Sequence, residues 1–347
     1  MKSDKQQVKD LWQTCFHDDE AFAGFYFDRV YRPENTVVYK EAGKVLSALQ
    51  LLPYPMTYEG VEIPVSYISG ASTAPAARGR GLMKELLGAA FERMRRRGDY
   101  LSVLIPAEEW LFGFYRKTGY AEAMYCRLRD CMPATDGAAA YPVRRVTELR
   151  ENGPAFDACC RRLYGYFDKK MKERPCSIQH TPPDFRNILT DTAISGGDVF
   201  LVSPAGDTIT GMAFAYPLPD GSRLVKECVA DNDEVKDALL SGMAAYYAGC
   251  PVQYREFVAA EAVPYGMARV IDAEAMLGIY AQHHPACTLA VYVADDWLPG
   301  NTGFYLIRQG VCRKSERPVA EALPLTMPEL TRLLFTGCCA YMTLMLD

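Results

Sequence analysis

The 347-residue chain is short of the side chain that most often handles protons and metals in enzymes: it has four histidines. Two of them are adjacent, His283–His284, and no Cys-x-x-Cys occurs among twelve cysteines, so the ligand spacing of a zinc site is missing. No apolar run approaches the roughly 18 residues of a membrane helix. The opening segment MKSDKQQVKDLW lacks a signal-peptide core, which argues against secretion. Basic charge is not in excess: 38 Lys and Arg face 43 Asp and Glu, a net charge of −5 and no footprint for nucleic acid. These shortages leave metal, membrane and nucleic-acid functions without support and point to a cytoplasmic protein. What is present is the balance of a folded globular protein, 49% hydrophobic and 23% charged, with length for two or three domains. The scattered cysteines read as small buried residues in a reducing compartment.

Periodicity places an amphipathic helix on Val8, Leu11, Trp12, Cys15 and Phe16, and a second on Phe22, Phe25 and Val30. Strands are expected at Thr36–Tyr39, Val45–Leu52, Met56–Tyr58 and Val61–Ser69, with turns at Ala42-Gly43 and Glu59-Gly60. A helix from Leu82 to about Arg96, a strand Leu101–Ile105 and a short helix Leu111–Lys117 follow. The next stretch repeats this order without visible sequence identity: helices Ala155–Tyr166 and Pro183–Asp191, strands Val199–Ser203, Thr208–Tyr216 and Leu224–Ala230, helix Asp233–Tyr247, strand Val252–Val258. Arg129–Tyr141 is the expected linker. The last 85 or so residues mix short strands with helices, and Thr326 with Glu329 forms a capping-box pattern. Expected domains are 1–130, 131–262 and 263–347.

The stretch that carries chemistry is Ser69–Met83. A strand enters a loop of Arg78-Gly79-Arg80-Gly81, which opens a helix at Leu82. Helix N-termini present unpaired N–H groups and partial positive charge, and glycines let a phosphate reach them. Arg78 and Arg80 add charge-assisted donors. The alternative is a surface turn with two solvated arginines. The second copy enters its helix through Asp231-Asn232-Asp233, a plain side-chain cap without glycine or arginine.

Arg78-x-x-Gly81-x-Met83, after Ser69–Thr73, resembles motif A of the GNAT acetyltransferases, and Gly113-Phe114-Tyr115-Arg116-Lys117-Thr118-Gly119-Tyr120 is similar to the family's F-Y-x-x-x-G-Y/F element. Met83 stands where the family usually has Gly or Ala. The segment Tyr265–Asp272, followed by Thr288–Val293 and Asn301–Leu306, resembles the closing module of the enhanced intracellular survival (Eis-like) group. The resemblance implies an α/β (α+β) protein: tandem GNAT folds with mixed central sheets, plus a small sterol-carrier-protein-like α+β domain. It implies acetyl-CoA as cosubstrate, without a metal, held by Ala71, Ser72 and Thr73 on the strand, by Arg78, Gly79, Arg80, Gly81, Leu82 and Met83, and by Lys117. It also leaves room for a homo-oligomer built through the second and third domains.

The resemblance makes Tyr115 the acid that protonates the leaving CoA thiolate; by composition alone, a core aromatic is the alternative. It brings the C-terminal carboxylate, here Asp347, toward the first domain as base, and the apolar tail Met342–Leu346 suits burial. Glu108 and Glu109 are alternative bases acting through water. Phe22, Phe25, Tyr26 and Tyr67 are candidate walls for the acceptor, and Asp18, Asp19 and Glu20 would draw a cation. The expected acceptor is a cationic small molecule or lysine side chain attacked directly in a ternary complex. A non-catalytic CoA- or lipid-binding module, or a different acyl donor, are the competing readings.

Overall fold

The computed structural model describes residues 2–16, 18–133, 141–150, 153–203, 208–259 and 262–346. Helices α1 (Asp4–Phe16) and α2 (Glu20–Arg29) lead into an antiparallel meander of β1 (Thr36–Glu41), β2 (Lys44–Tyr58) and β3 (Val61–Thr73). Both hairpin turns hold two residues at positive φ, Ala42 and Gly43 at 46° and 78°, Glu59 and Gly60 at 48° and 73°. That geometry matches the twist of the flanking strands. Strand β2 was expected to break at Pro53 and Pro55 but runs unbroken. Its pairing with β1 ends at Gln50, and the Pro55 carbonyl points to that outer side, where it accepts from Gln179 N–H at 2.8 Å. The donors the prolines lack are therefore missing only from an edge that β1 does not cover.

Next come α3 (Leu82–Arg97), β4 (Leu101–Leu104), α4 (Glu109–Arg116) and β5 (Ala121–Asp130). Strand β5 occupies residues whose strand character periodicity did not reveal and runs into the expected linker. The second half contains β6 (Val143–Arg145), α5 (Pro154–Lys172), β7 (Cys176–Ile178), α6 (Pro182–Ile194), β8 (Asp198–Val202), β9 (Gly211–Pro217), β10 (Arg223–Ala230), α7 (Asp233–Tyr246) and β11 (Val252–Val258). Helix α5 runs about a turn and a half past the expected end at Tyr166, because buried Phe167 and Met171 continue its apolar face and Lys169, Lys170 and Lys172 favour a helix C-terminus. The chain closes with β12 (Val263–Val270), α8 (Ala273–His283), β13 (Leu289–Ala294), β14 (Gly303–Arg308), β15 (Val311–Ser315), β16 (Leu323–Thr326) and α9 (Met327–Phe335). Glu329 accepts from the Thr326 backbone N–H at 2.8 Å, the reciprocal half of the cap that starts α9.

Among the described residues one sheet of twelve strands runs β1-β2-β3-β4-β12-β5-β11-β10-β9-β8-β6, with β7 added beside β2. Strand β12, where the third domain was expected to begin, lies antiparallel between β4 and β5 and so completes the first half's sheet. Strands β5 and β11 join the two halves edge to edge. A separate four-stranded sheet, β15-β14-β13-β16, forms the closing module with α8 and α9. After α9 the chain returns to the second half: Tyr341 exchanges backbone hydrogen bonds with Cys176 and Ile178 of β7, each 2.9 Å, and Leu344–Leu346 are buried.

Candidate active site

The site begins with a strand pair that separates. Strands β3 and β4 are parallel and paired only where Val65–Tyr67 meet Leu101–Val103. Beyond that, Ile68–Thr73 and Leu104–Ile105 diverge around a cleft of about 380 Å³. A bulge widens it: Ser69 faces Gln50 and Ser72 faces Ala48, so Gly70 and Ala71 together oppose one residue. Gly70 has φ 61°, and a Cβ there would lie 2.1 Å from the Trp12 ring, so only glycine fits. Trp12 Nε1–H donates to Asp18 Oδ2 at 2.7 Å, fixing the indole at the cleft wall. Tyr67 and Ala71 also line the cleft. Ser72 is buried, and its carbonyl accepts from the Ser47 hydroxyl at 2.9 Å. The Thr73 hydroxyl pairs with the same serine at 2.8 Å.

The following loop ends at Gly81, the N-cap of α3, with φ 80° and no side-chain cap. Gly79 has φ 79°, and nothing lies within 4 Å of a Cβ built at either glycine. No side chain caps the first N–H groups of α3, and no atom crowds the glycines before them, which is the arrangement an anion needs. Arg78 Nε–H donates to the Thr73 carbonyl at 3.3 Å. Arg80 pairs with Glu41, whose carboxyl this guanidinium holds below the usual carboxylate range. Leu82 is buried and Met83 is half-buried against the core that holds Leu86 and Leu87, so both side chains pack while their backbones remain at the helix entrance.

Tyr115 sits on the last turn of α4 and lines the cleft from the β4 side. It is 6% exposed. Burial pushes its phenol up to about 12. Among the described residues no group pairs with its hydroxyl. Thr118 and Tyr120 fold the Tyr115 carbonyl into the turn, with N–H bonds of 2.9 and 3.2 Å, while the Tyr120 hydroxyl is tied to Ser102 at 2.6 Å. Lys117 caps α4 and is exposed, away from the cleft lining.

Several expected residues have other work. Tyr26 is buried with its hydroxyl 2.9 Å from Ser69 Oγ, and Phe22 and Phe25 pack against the core shared with the second half. Glu108 is exposed and accepts from the Trp110 indole at 2.8 Å, and Glu109 begins α4. Asp19 caps α2 by accepting from Phe22 N–H at 2.7 Å; Glu20 opens that helix. Asp347 lies outside the described residues. Four residues earlier, the Thr343 hydroxyl donates to the carbonyl of Lys226, a residue of the cleft lining, at 3.1 Å.

Lys226, Arg255 and Tyr265 complete the far wall, none of them foreseen as site residues. Their positions depend on the β5–β11 junction and on β12, which no local pattern announces. Gly70 did carry a signal, a glycine inside a strand pattern, which marks a bulge. A larger, shallower hollow of about 670 Å³ lies between α1, the Ala42-Gly43 turn and Ala74–Ala76. Its charged Lys2 and Asp10 pair with each other at 2.6 Å, and Tyr115 is not part of it.

The second half repeats the geometry with a different result. Strands β10 and β11 are parallel over Arg223–Val225 and Val252–Tyr254, then separate. Here Tyr341 of the tail fills the gap: its hydroxyl donates to Glu227 Oε1 at 2.7 Å and its ring lies 4.2 Å from that of Phe257. The α7 entrance is closed by Asn232, whose side chain accepts from Val235 N–H at 2.9 Å. Among the described residues, only the first half therefore keeps both an open cleft and an uncapped helix. Among the described residues no group of three or more His, Cys, Asp or Glu could hold a metal ion.

Residues 1–123 match the family model described as the acetyltransferase (GNAT) domain. No curated protein matches the chain in sequence. Three solved structures share its fold over nearly their whole length. A GCN5-related N-acetyltransferase from Anabaena variabilis is 17% identical with a TM-score of 0.74, covering 97% of this chain and 96% of its own. A probable N-acyltransferase from Enterococcus faecalis is 14% identical, with a TM-score of 0.75 and coverage of 96% and 88%. Eis1 from Mycobacterium abscessus is 14% identical, with a TM-score of 0.69 and coverage of 97% and 89%. The first third of the chain thus carries a GNAT acetyltransferase domain, an enzyme domain that transfers acyl groups.

Proposed function

We propose that the protein is an Eis-like N-acetyltransferase that moves the acetyl group of acetyl-CoA to a primary amine by direct attack in a ternary complex. One observation carries the reading: the uncapped N-terminus of α3 opens beside the β3–β4 cleft into which Tyr115 faces. The Gly79 and Gly81 backbone, with Arg78 beside it, suits a pyrophosphate, since no side chain obstructs it. Acetyl-CoA supplies an acyl group on a thiol leaving group.

Tyr115 is the donor to the leaving sulfur. With its phenol near 12, full proton transfer to a thiolate of pKa about 8.5 is uphill by roughly 4–5 kcal/mol, so Tyr115 stabilises developing charge by hydrogen bonding and transfer completes as the thiol departs. Asp347 is the base that takes the amine proton. The tail's direction supports this: Thr343 is bonded beside the cleft, and four residues reach about 13 Å when extended. Glu108 is a weaker candidate because the Trp110 indole already occupies its carboxylate.

The test combines binding and product analysis. Acetyl-CoA at millimolar concentration should raise the melting temperature, because a ligand of the folded state must stabilise it. Mass analysis of an amine panel with acetyl-, propionyl- and succinyl-CoA should then show an N-acetyl product. No thermal shift and no acylated amine would sink the reading.

A further inference from the structure

We propose that the second half binds the chain's own tail where the first half would bind a donor, and that Tyr341, Met342 and Thr343, seated there, are positioning residues for the far wall of the active cleft. The inference deepens the N-acyl-transfer reading and rests on it for the cleft's role. The dock is the gap between β10 and β11, the counterpart of the gap between β3 and β4. In the first half that gap is the open cleft; in the second, Tyr341 enters it.

Several groups hold Tyr341 in place. Its backbone exchanges hydrogen bonds with Cys176 and Ile178, each 2.9 Å. Its hydroxyl donates to Glu227 Oε1 at 2.7 Å, and the same oxygen accepts from the Cys228 N–H at 2.8 Å. Arg174 covers the ring, its guanidinium 3.7 Å from the ring centre and 3.9 Å from that Glu227 oxygen. Such partners are what a fully buried carboxylate needs. Two residues on, the Thr343 carbonyl accepts from His180 Nε2–H at 3.0 Å. Leu344 holds φ 52°, a left-handed conformation that a non-glycine residue keeps only when its surroundings impose it. The tail's path is therefore set by its dock and not by local preference.

Each of the three tail residues reaches the cleft wall. The Tyr341 ring lies 4.2 Å from that of Phe257, which in turn lies 5.2 Å from the ring of Tyr265. The Tyr265 hydroxyl accepts from Arg255 Nη1–H at 3.1 Å. Met342 is fully buried against Gly266, where a Cβ would lie 2.6 Å from Met342 Cε and 3.4 Å from the Leu104 carbonyl. The Thr343 hydroxyl donates to the Lys226 carbonyl at 3.1 Å. Tyr265, Arg255, Leu104 and Lys226 all line the cleft, and the three tail residues do not. They act through the wall: a close-packed interior transmits displacement, so a tail that shifts carries these residues with it.

The experiment uses the full chain with single substitutions. Tyr341→Leu removes the ring that meets Phe257, Tyr341→Phe keeps the ring and loses only the Glu227 bond, and Thr343→Val loses the Lys226 bond with little change of volume. With cadaverine and Nα-acetyllysinamide as acceptors, Tyr341→Leu should raise the acceptor KM roughly tenfold, the scale of a lost aromatic pair, and leave the KM for acetyl-CoA unchanged. Tyr341→Phe should recover most of that loss, and Thr343→Val should show the same split in smaller measure. Hydrogen exchange on the unliganded proteins reads the coupling directly. Tyr341→Leu and Thr343→Val should speed exchange in Arg255–Phe257 and Tyr265–Met267 as well as in the tail, with the α3 entrance unaffected. Exchange that is unchanged, confined to the tail or faster evenly along the chain overturns the proposal, as does an acceptor KM that stays put or rises together with that for acetyl-CoA. If neither amine is acylated, the acyl-transfer reading falls by itself and hydrogen exchange still decides the dock. Urea midpoints confirm that each variant folds.

Discussion

In the proposed reaction, Tyr115 is where a single atom decides the chemistry. Replacing it by Phe keeps the ring contacts with Phe114 and Tyr120 and removes the hydroxyl. Turnover should fall roughly 100-fold, the scale of a positioned acid, while acetyl-CoA affinity changes little; steady-state kcat and a direct binding isotherm check both halves. The phenol's environment also sets a pH signature. An exposed tyrosine ionises near 10, but burial keeps the native phenol protonated to about 12. Between these values the folded state binds more protons than the unfolded one, so the stability contributed by Tyr115 is complete below pH 10 and is lost as pH rises toward 12. Denaturant midpoints should fall less steeply over that interval in Tyr115→Phe. The tyrosine could be read from sequence because its neighbours form a local motif. Arg255 could not, because everything that makes it a site residue lies in other strands.

In the proposed reaction, the element that decides donor binding is the start of α3. Gly81→Ala would place a side chain at φ 80° with open space around it, so the cost is backbone strain of about 1–2 kcal/mol rather than a clash. A modest drop in melting temperature with a larger rise in KM for acetyl-CoA is expected. An equal loss in both would mean that the loop only folds the helix. Gly79 and Gly81 were legible because helix-entry chemistry is local, and the Asn232 cap of α7 was legible for the same reason. The tail element was legible as buried, but its pairing with β7 was not. There, His180 Nε2–H donates to the Thr343 carbonyl at 3.0 Å while Nδ1 is buried with no partner among the described residues. Burial holds this imidazole below its usual value. An unfolded chain takes up the proton near pH 6.5 and the native one does so only lower, so stability present above that pH is lost as pH falls. Urea midpoints of the wild type should decline between pH 7.5 and 5.5, and His180→Gln should flatten that decline. An unaltered slope would remove His180 as its source.

At the scale of the whole molecule, β12 ties three parts together, and its Arg269 is the knot. The side chain is fully buried, and its Nη2 donates to both carboxylate oxygens of Asp295, at 2.7 and 2.9 Å, where the closing module begins its β13–β14 loop. Asn301 Nδ2–H donates to the same carboxylate at 2.9 Å. The guanidinium also lies 4.4 Å from the Phe91 ring centre on α3. A Cβ on Gly119 would sit 1.7 Å from Arg269 Nη1, so the glycine after α4 exists to let this arginine pass. The sequence shows the glycine and the arginine but not that they meet, since 150 residues and an entire half of the protein separate them. Long loop closure of this kind leaves no periodic trace. Its energetic consequence is specific. Asp295→Asn keeps the shape but strands a buried positive charge, which should cost about 3–5 kcal/mol. Arg269→Met should also destabilise, by leaving the carboxylate with only Asn301 and backbone donors. Because the two losses share one interaction, the double variant should fall well short of their sum. Urea unfolding of the four proteins measures this coupling. Since Arg269 borders the turn that positions Tyr115, the single variants should lower kcat more than they raise KM for acetyl-CoA. Additive destabilisation with unchanged turnover would mean that the closing module is held to the catalytic half by other contacts.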